Sequence, residues 1–335
     1  MKGYPKILIT FFLIKNIAFG QDLHYTQFYN AHVNINPALT GIFNGDTRLA
    51  ANFRNQWSSV PVPYNTVTAA ADFKINKSCK PAFWGAGLVL NYDKAGDSQL
   101  NLATLGLNSS YSIPIKENAF FTMGAQLGFS RRAFSIDDLA FDEQWDGSKY
   151  VFSKTITDAF DRRAVFIPDL SLGVNYRIQK SIRTKLDIGL AMFHVNRPQS
   201  PFYIDDKSVK LPVRFALNLS SSNRINSEWD LLIHGLAQFQ RTYHEIIIGA
   251  GPKYYLNQKA GKIYSLGLLL HYRLKDALAP AFQLQLNDLQ IGLSYDVTTS
   301  PFKIATGQKG GPELSLIYLI NKIKPFGRPK YCPIY

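Results

Sequence analysis

The chain has 335 residues, of which 18% are charged and 13% are aromatic, and its formal net charge is +13. The charged fraction is below the roughly 25% of average soluble domains. The basic residues are scattered singly along the chain and form no dense basic face, so we expect no nucleic acid partner.

Residues 1–20 have the pattern of a secretory signal peptide. Two lysines precede the apolar run Ile7–Ala18, which is shorter than the about 20 residues that a spanning helix needs. Ala18-Phe19-Gly20 supplies small residues at the cleavage positions, and we predict cleavage between Gly20 and Gln21. No later segment is apolar over a length that would form a transmembrane helix. A membrane role must therefore come through strands.

The leader, residues 21–47, is polar, aromatic and irregular. Asn36-Pro37 and Gly41 exclude a long helix or a central strand here. Proline lacks a backbone donor and biases the residue before it toward extended geometry. We therefore expect the leader to precede a large sheet without being part of it.

Strict alternation of polar and apolar residues begins at Arg48. Leu49 and Phe53 fall on one face, and Asn52 and Arg54 fall on the other, which is the pattern of a strand with one apolar face. Fourteen such segments are predicted: Arg48–Trp57, Thr66–Ile75, Trp84–Tyr92, Leu100–Ile113, Phe121–Arg132, Asp169–Gln179, Leu186–Val195, Leu211–Ser220, Trp229–Gln240, Tyr243–Leu256, Tyr264–Leu274, Ala281–Leu286, Gln290–Thr298 and Glu313–Asn321.

The length of these segments decides between two architectures. Strands of a soluble β-sandwich average about five or six residues, whereas membrane barrels use about nine to eleven. Most segments reach the longer range, and many carry an aromatic residue at one end, as in interfacial girdles. The sequence predicts an all-β fold, a transmembrane antiparallel barrel of about fourteen strands over residues 48–323. The even strand count places the start of the chain and the tail, residues 324–335, on the periplasmic side.

Both ends of the predicted barrel carry recognisable residues. The segments Asn36–Gly41 and Arg54–Trp57 come first, and Gly310–Leu316 and Cys332-Pro333 come last. In this order, with barrel-like segments between them, the chain resembles the PorP/SprF family of type IX secretion system membrane proteins. The resemblance implies a barrel in the cell outer membrane, in contact with its lipid, that serves protein export, surface attachment or gliding motility. It does not imply catalysis.

The candidate partner-binding or plug residues are those of the family-like segments: Asn36, Pro37, Gly41, Arg54, Asn55, Gln56 and Trp57. Alternation places Arg54 and Gln56 in the lumen and Trp57 at the outer rim. The polar face carries charges of both signs, which fit either a solvated channel or a lumen closed by ion pairs and by the leader folded inside. We favour the plugged lumen, because uncompensated charges in a narrow lumen are costly.

No catalytic, cofactor or metal motif stands out. The sequence has no nucleophile elbow, P-loop or zinc-protease motif, and its six histidines are dispersed without metal-ligand spacing. We expect neither an enzyme nor a cofactor. Acidic residues outnumber basic ones in the loop Phe134–Phe166, which is either a protein-binding surface or a lid. Cys79 and Cys332 fall on the same rim and form a disulfide or remain two thiols.

The expected function is to dock or anchor a secreted protein or surface adhesin and to couple the barrel to periplasmic secretion or motility components. The alternative is a plugged channel that transports apolar or small solutes. An open, conductive lumen favours transport, and a stable complex with a secreted adhesin favours docking.

Overall fold

The computed structural model describes residues 22–57, 64–76, 82–96, 98–135, 142–151, 163–202, 208–259, 262–301 and 303–321. Within these ranges, fourteen antiparallel strands follow one another around a closed barrel, and β1 pairs with β14 to complete it. The strands are β1 (Thr47–Gln56), β2 (Tyr64–Asn76), β3 (Phe83–Ala95), β4 (Leu100–Lys116), β5 (Ala119–Ala133), β6 (Ala164–Gln179), β7 (Lys185–Phe193), β8 (Arg214–Arg224), β9 (Trp229–Gln240), β10 (Tyr243–Lys259), β11 (Lys262–Arg273), β12 (Ala277–Leu286), β13 (Leu289–Thr298) and β14 (Lys309–Ile320).

The alternation seen in the sequence divides each strand into an outer and an inner face. Along β1, Leu49 and Phe53 are exposed outward, at 41% and 42%, while Asn52 and Arg54 are buried on the inner face. An outward apolar face and closed backbone pairing are what a strand needs in lipid, where no unpaired backbone group is tolerated. The predicted barrel of fourteen strands is confirmed.

Three strands begin four or five residues earlier than the sequence predicts. The predicted starts of β6, β12 and β14 each follow a proline directly, but the strands run through Pro168, Pro280 and Pro312. All three proline side chains are exposed outward, and the pairing of β12 with β13 skips Ala279 and Pro280. A proline is accommodated where its missing donor coincides with such an irregularity.

The connections differ between the two ends of the barrel. The long-loop end carries the connections of residues 134–163 and 194–213, and the short-turn end carries those of residues 117–118 and 287–288. Short turns are typical of the periplasmic side and long loops of the outer side. Among the described residues, no helix is long and apolar enough to cross a membrane.

The leader lies inside the barrel. It has only short elements, the 3₁₀ turns Phe28–Asn30 and Pro37–Leu39 and the helix α1 (His32–Ile35) between them. Further on, the connection of β5 to β6 contains the 3₁₀ turn Asp142–Gln144, and the connection of β13 to β14 contains the helix α2 (Lys303–Thr306).

The leader runs through the lumen between the two ends of the barrel. Its last residue before β1, Asp46, donates its backbone N–H to Ile320 O at the short-turn end, 3.1 Å away. Its first described residue, Asp22, contacts His194 and Arg214 at the long-loop end. The start of the chain, which strand parity places on the same side as the tail, lies outside the described residues. Parity applies only to the barrel, and the leader crosses from β1 back to the long-loop end at Asp22.

Several predicted features lie outside the described residues. These are the cleavage site at Gly20 and Gln21, both cysteines, Cys79 and Cys332, and the tail of residues 324–335. Most of the acidic loop, residues 136–141 and 152–162, is outside as well.

Candidate functional site

Ion pairs between neighbouring strands line the lumen. Arg48 donates from Nε and Nη2 to the two carboxylate oxygens of Asp72, its direct partner across β1 and β2, at 2.9 and 2.8 Å. Arg177 likewise donates from Nε and Nη2 to the two carboxylate oxygens of Asp187, at 2.8 and 2.7 Å. Because both members of each pair are buried, each charge depends on its partner for compensation. The candidate Arg54 is paired with Asp296 at 2.7 Å.

The outer end of the leader is held by the Asp22 site, which consists of Asp22, Asp169, His194 and Arg214. Asp22 Oδ2 lies 2.8 Å from His194 Nε2 and 3.0 Å from Arg214 Nε, and the other ring nitrogen of His194 lies 3.0 Å from Asp169 Oδ1. Burial alone would raise the pKa of Asp22, but His194 and Arg214 hold it well below its usual range. Burial would lower the pKa of His194, but Asp22 and Asp169 raise it to about 9. The site therefore holds a carboxylate against an imidazolium at neutral pH.

The next few leader residues bind the inner faces of β13 and β14. Glu313 accepts hydrogen bonds from the backbone N–H groups of Thr26 and Gln27, at 2.9 and 2.8 Å. The hydroxyl of Thr26 donates to Asp296 at 2.7 Å, and Arg54 Nη1 donates to His24 O at 3.0 Å. The carboxylate of Asp296 therefore binds both the leader, through Thr26, and Arg54 of the barrel wall.

The middle of the leader contains the family-like Asn36-Pro37. Asn36 Nδ2 donates to Val174 O and to Asn218 Oδ1, both at 3.0 Å, and its Oδ1 accepts from Ala38 N at 2.9 Å. Pro37 follows at the first position of a 3₁₀ turn, where its missing donor is harmless. The side-chain amide thereby ties the turn to β6 and β8.

The inner end of the leader binds β1 and β2. Gly41 donates its backbone N–H to Asp72 at 2.7 Å, and Arg48 Nη2 donates to Leu39 O at 3.0 Å. Gly41 has a φ of 73°, a region that favours glycine. The Arg48 guanidinium also lies 4.6 Å above the ring of Phe43. The ion pair of Arg48 and Asp72, which joins β1 to β2, therefore also binds the backbone of the leader.

Apolar contacts add to these polar ones. Phe28, Ile35, Leu39 and Ile42 form a buried cluster with Leu236 and Ile247 of the barrel. Tyr29 stacks on His234, with ring centroids 3.9 Å apart. The inner wall is therefore not uniformly polar, and its apolar patches match those of the leader.

The predicted site residues divide into two groups. Asn36, Pro37, Gly41, Arg54 and Gln56 are buried inside the barrel, and the leader contacts described above involve Asn36, Gly41 and Arg54. Asn55 donates instead to Asn65 at 2.6 Å, and Trp57 packs edge-on against Tyr64 with centroids 5.1 Å apart. Trp57 lies beyond the end of β1 with a φ of 57°.

Sequence reasoning missed three glycines and the Asp22 site. A Cβ on Gly124 would lie 2.4 Å from Ala38 N, and one on Gly173 or Gly189 would lie 2.1 or 2.4 Å from the Asn36 side chain. These three glycines occupy inward positions of the neighbouring strands β5, β6 and β7. Their shared position is visible in the sequence and could have indicated a close approach of the leader. His194 and Asp22 are far apart in the sequence, and no local pattern joins them. No group of three or more metal-ligating side chains is placed to hold an ion within the described ranges.

The stability of the leader's outer end is expected to depend on pH. The raised pKa of His194, about 9, gives a contribution that is complete below its usual value of 6.5 and is lost as pH rises through 9. The lowered pKa of Asp22 gives a contribution that is present above its usual value of 3.8 and is lost in acid. Urea unfolding should show that the free energy of unfolding falls between pH 6.5 and 9.5. The fall should be smaller in His194→Gln. An identical decline in both proteins would contradict this assignment.

Solved outer-membrane barrels are similar in overall form. The Ralstonia pickettii toluene transporter TbuX matches with a TM-score of 0.47 and 10% identity, over 87% of this chain and 94% of that chain. The Pseudomonas putida toluene transporter TodX matches with a TM-score of 0.46 and 10% identity, over 86% of this chain and 93% of that chain. BamA from Haemophilus ducreyi lacking POTRA domains 1–3 matches with a TM-score of 0.45 and 7% identity, over 82% of this chain and 70% of that chain. Likenesses of this size carry no conclusion about function.

Sequence comparison identifies the family. No curated protein matches the chain, but the family model described as "Type IX secretion system membrane protein PorP/SprF" matches residues 17–318. That span includes the described leader and all strands up to Tyr318 of β14. A closed barrel with an apolar outer face is the form in which strands cross an outer membrane. The protein is an outer-membrane barrel, and it belongs to the PorP/SprF family of type IX secretion system membrane proteins.

Proposed function

We propose that this protein is a non-catalytic docking barrel that holds a secreted protein or adhesin at the cell surface and couples it to periplasmic secretion or motility components. The observation that carries the proposal is the leader, which is bound along the lumen from Asp22 to Asp46. A barrel filled in this way acts through its two ends rather than through an open bore. The leader is then the plug of the barrel.

The number and type of leader contacts support a filled lumen. Carboxylates of the wall bind leader backbone groups at Thr26, Gln27 and Gly41. Buried acceptors of this kind are costly to leave without partners. The alternative function, transport of apolar or small solutes, requires the leader to leave or rearrange during each passage. Docking requires no such step, and we favour it for that reason.

The long-loop rim near Trp57 is the proposed docking surface. Trp57 is half-buried and is fixed by its backbone N–H, which donates to Gly310 O at 2.7 Å. A fixed aromatic residue at a rim is the kind of side chain that dominates protein interfaces. We expect Trp57→Ala to reduce surface retention of the secreted partner several-fold, while the amount of barrel in the membrane stays normal. The measurement is partner display on whole cells, with barrel abundance in the same cells.

The matched control is a tryptophan at the opposite end. Trp229 begins β9 at the short-turn end and packs against Tyr254, with centroids 4.7 Å apart. Trp229→Ala should leave display unchanged at equal abundance. Normal display in Trp57→Ala would exclude this rim, and the loop of residues 134–163 would be the next candidate. Conduction by the wild-type barrel in planar bilayers would favour transport over docking.

A further inference from the structure

The Asp22 site has the features of a built carboxylate-binding site. Arg214, which is 6% exposed, and His194 both contact one oxygen of the Asp22 carboxylate. His194 is oriented from its other side by Asp169. The Arg214 guanidinium lies 4.0 Å above the ring of Phe193, which fixes its plane. Donors held in place in this way recognise a carboxylate with little loss of side-chain freedom.

The charges around this site favour an anion. Arg132 of β5 acts on Asp22 electrostatically in addition to His194 and Arg214. Without Asp22, the two guanidinium groups of Arg132 and Arg214 would remain beside His194, with Asp169 paired to His194 and Asp93 acting on Arg132 from β3. Cations left together in a buried site favour the binding of another anion. Solvent reaches the site, because the Asp22 side chain is 20% exposed.

The attachment of the leader determines what release at this site would do. The leader continues into β1 at the short-turn end, where Lys74 N donates to Asp46 O at 3.1 Å. Its outer end is held through Asp22. A leader that loses its outer anchor therefore stays attached to the barrel through β1 at the short-turn end, and its contacts with the lumen wall open from the Asp22 end.

We propose that the Asp22 site is a recognition site for an aspartate side chain of a protein on the cell-surface side, and that this carboxylate displaces Asp22 and frees the outer end of the leader. The occupant is assigned from Asp22 itself, which shows that an aspartate carboxylate fits the donors. The proposal rests on the proposed function, since it takes the leader to fill the lumen until a partner arrives.

The first experiment tests the site in the full chain with Asp22→Ala, which empties it. The probe is N-acetyl-aspartate α-amide, which carries one side-chain carboxylate, and the control is N-acetyl-asparagine amide, which has the same shape without the charge. The aspartate probe should raise the melting temperature of the purified variant in a saturable way, because a ligand that binds only the folded state stabilises it. The asparagine probe should have no effect. Adding Arg214→Gln to the variant should abolish the shift.

Equal shifts from the two probes, or no saturable shift from the aspartate probe, would overturn the carboxylate site. Correct folding of Asp22→Ala is checked by heat-dependent mobility in gels. If this variant does not fold, Asp22→Asn, which keeps the size of the side chain, takes its place with the same probes and the same outcomes.

The second experiment tests displacement. Val33 of the leader is 1% exposed and serves as the position of a reporter, Val33→Cys, in a chain that also carries Cys79→Ser and Cys332→Ser. Labelling of the reporter by a polymer maleimide should be slow. It should become at least ten-fold faster with Asp22→Asn and should stay slow with Asp22→Glu. The aspartate probe should also accelerate labelling of the chain that retains Asp22.

The outcomes separate this proposal from the proposed function. Fast labelling of Val33→Cys in the chain with Asp22 intact would contradict the filled lumen itself. Slow labelling that neither Asp22→Asn nor the aspartate probe accelerates would leave the filled lumen standing and overturn displacement at the Asp22 site.

Discussion

Replacing Asp296 with asparagine is expected to lower the free energy of unfolding by about 3–5 kcal/mol, the range for breaking a buried ion pair. Asp296 Oδ2 accepts from both Arg54 and Arg273, each at 2.7 Å, and Oδ1 accepts from the Thr26 hydroxyl. Asparagine keeps the shape but leaves two buried guanidinium groups without their shared charge. The measurement is urea unfolding of the barrel refolded into lipid vesicles, followed by tryptophan fluorescence.

Asp276 provides the matched control, because it also pairs with Arg273. Its carboxylate lies 2.7 Å from Arg273 Nη1, but its side chain is 40% exposed. Because solvent reaches Asp276, its charge is screened more than that of Asp296, so Asp276→Asn should cost clearly less. Equal losses in the two variants would contradict the role assigned to burial around Asp296.

A methyl group at Gly124 is expected to displace the leader. A Cβ there would lie 2.4 Å from Ala38 N and 2.5 Å from Ala38 Cα, which are backbone atoms. Either the leader or β5 must shift, and overpacking of this kind costs about 1–3 kcal/mol. Gly124→Ala should therefore lower the unfolding midpoint and accelerate labelling of the Val33→Cys reporter in the cysteine-free background.

Gly267→Ala is the comparison for this substitution. Gly267 is buried in β11, and a Cβ there would meet Gln283 Cβ at 3.3 Å, with no leader atom among its nearest neighbours. A few tenths of an ångström of movement would accommodate it. If Gly267→Ala accelerates labelling as much as Gly124→Ala does, contact with the leader is not the cause.

The barrel was predictable because its signal is local. Alternation with period two places Arg48, Asn52 and Arg54 on one face of β1 whatever the rest of the chain does. The errors at Pro168 and Pro280 also have a local origin, since proline is disfavoured in an ordinary central strand. The strands continue through these prolines because Pro280 is skipped in the pairing with β13 and Pro168 lies beyond the last residue that pairs with β7.

The path of the leader was not predictable in the same way. Asn36 meets Asn218, and Asp22 meets His194, across intervals of 182 and 172 residues. Neither pairing leaves a periodic pattern, and strand parity says nothing about the crossing that brings Asp22 to the long-loop end. The inward glycines on β5, β6 and β7 were the available clue, because small residues on one inner patch make room for another segment.

The most direct test of the account is a cross-link between the leader and the far wall. In the cysteine-free background, Asn36→Cys and Asn218→Cys replace two side chains whose Nδ2 and Oδ1 atoms lie 3.0 Å apart. A short bis-methanethiosulfonate reagent, followed by mass spectrometry of the digested protein, should recover the leader joined to β8. Asn36→Cys paired with Asn223→Cys, near the short-turn end of β8, should give no such product. A folded barrel in which the Asn36→Cys and Asn218→Cys thiols react separately and never join would contradict a leader that fills the lumen.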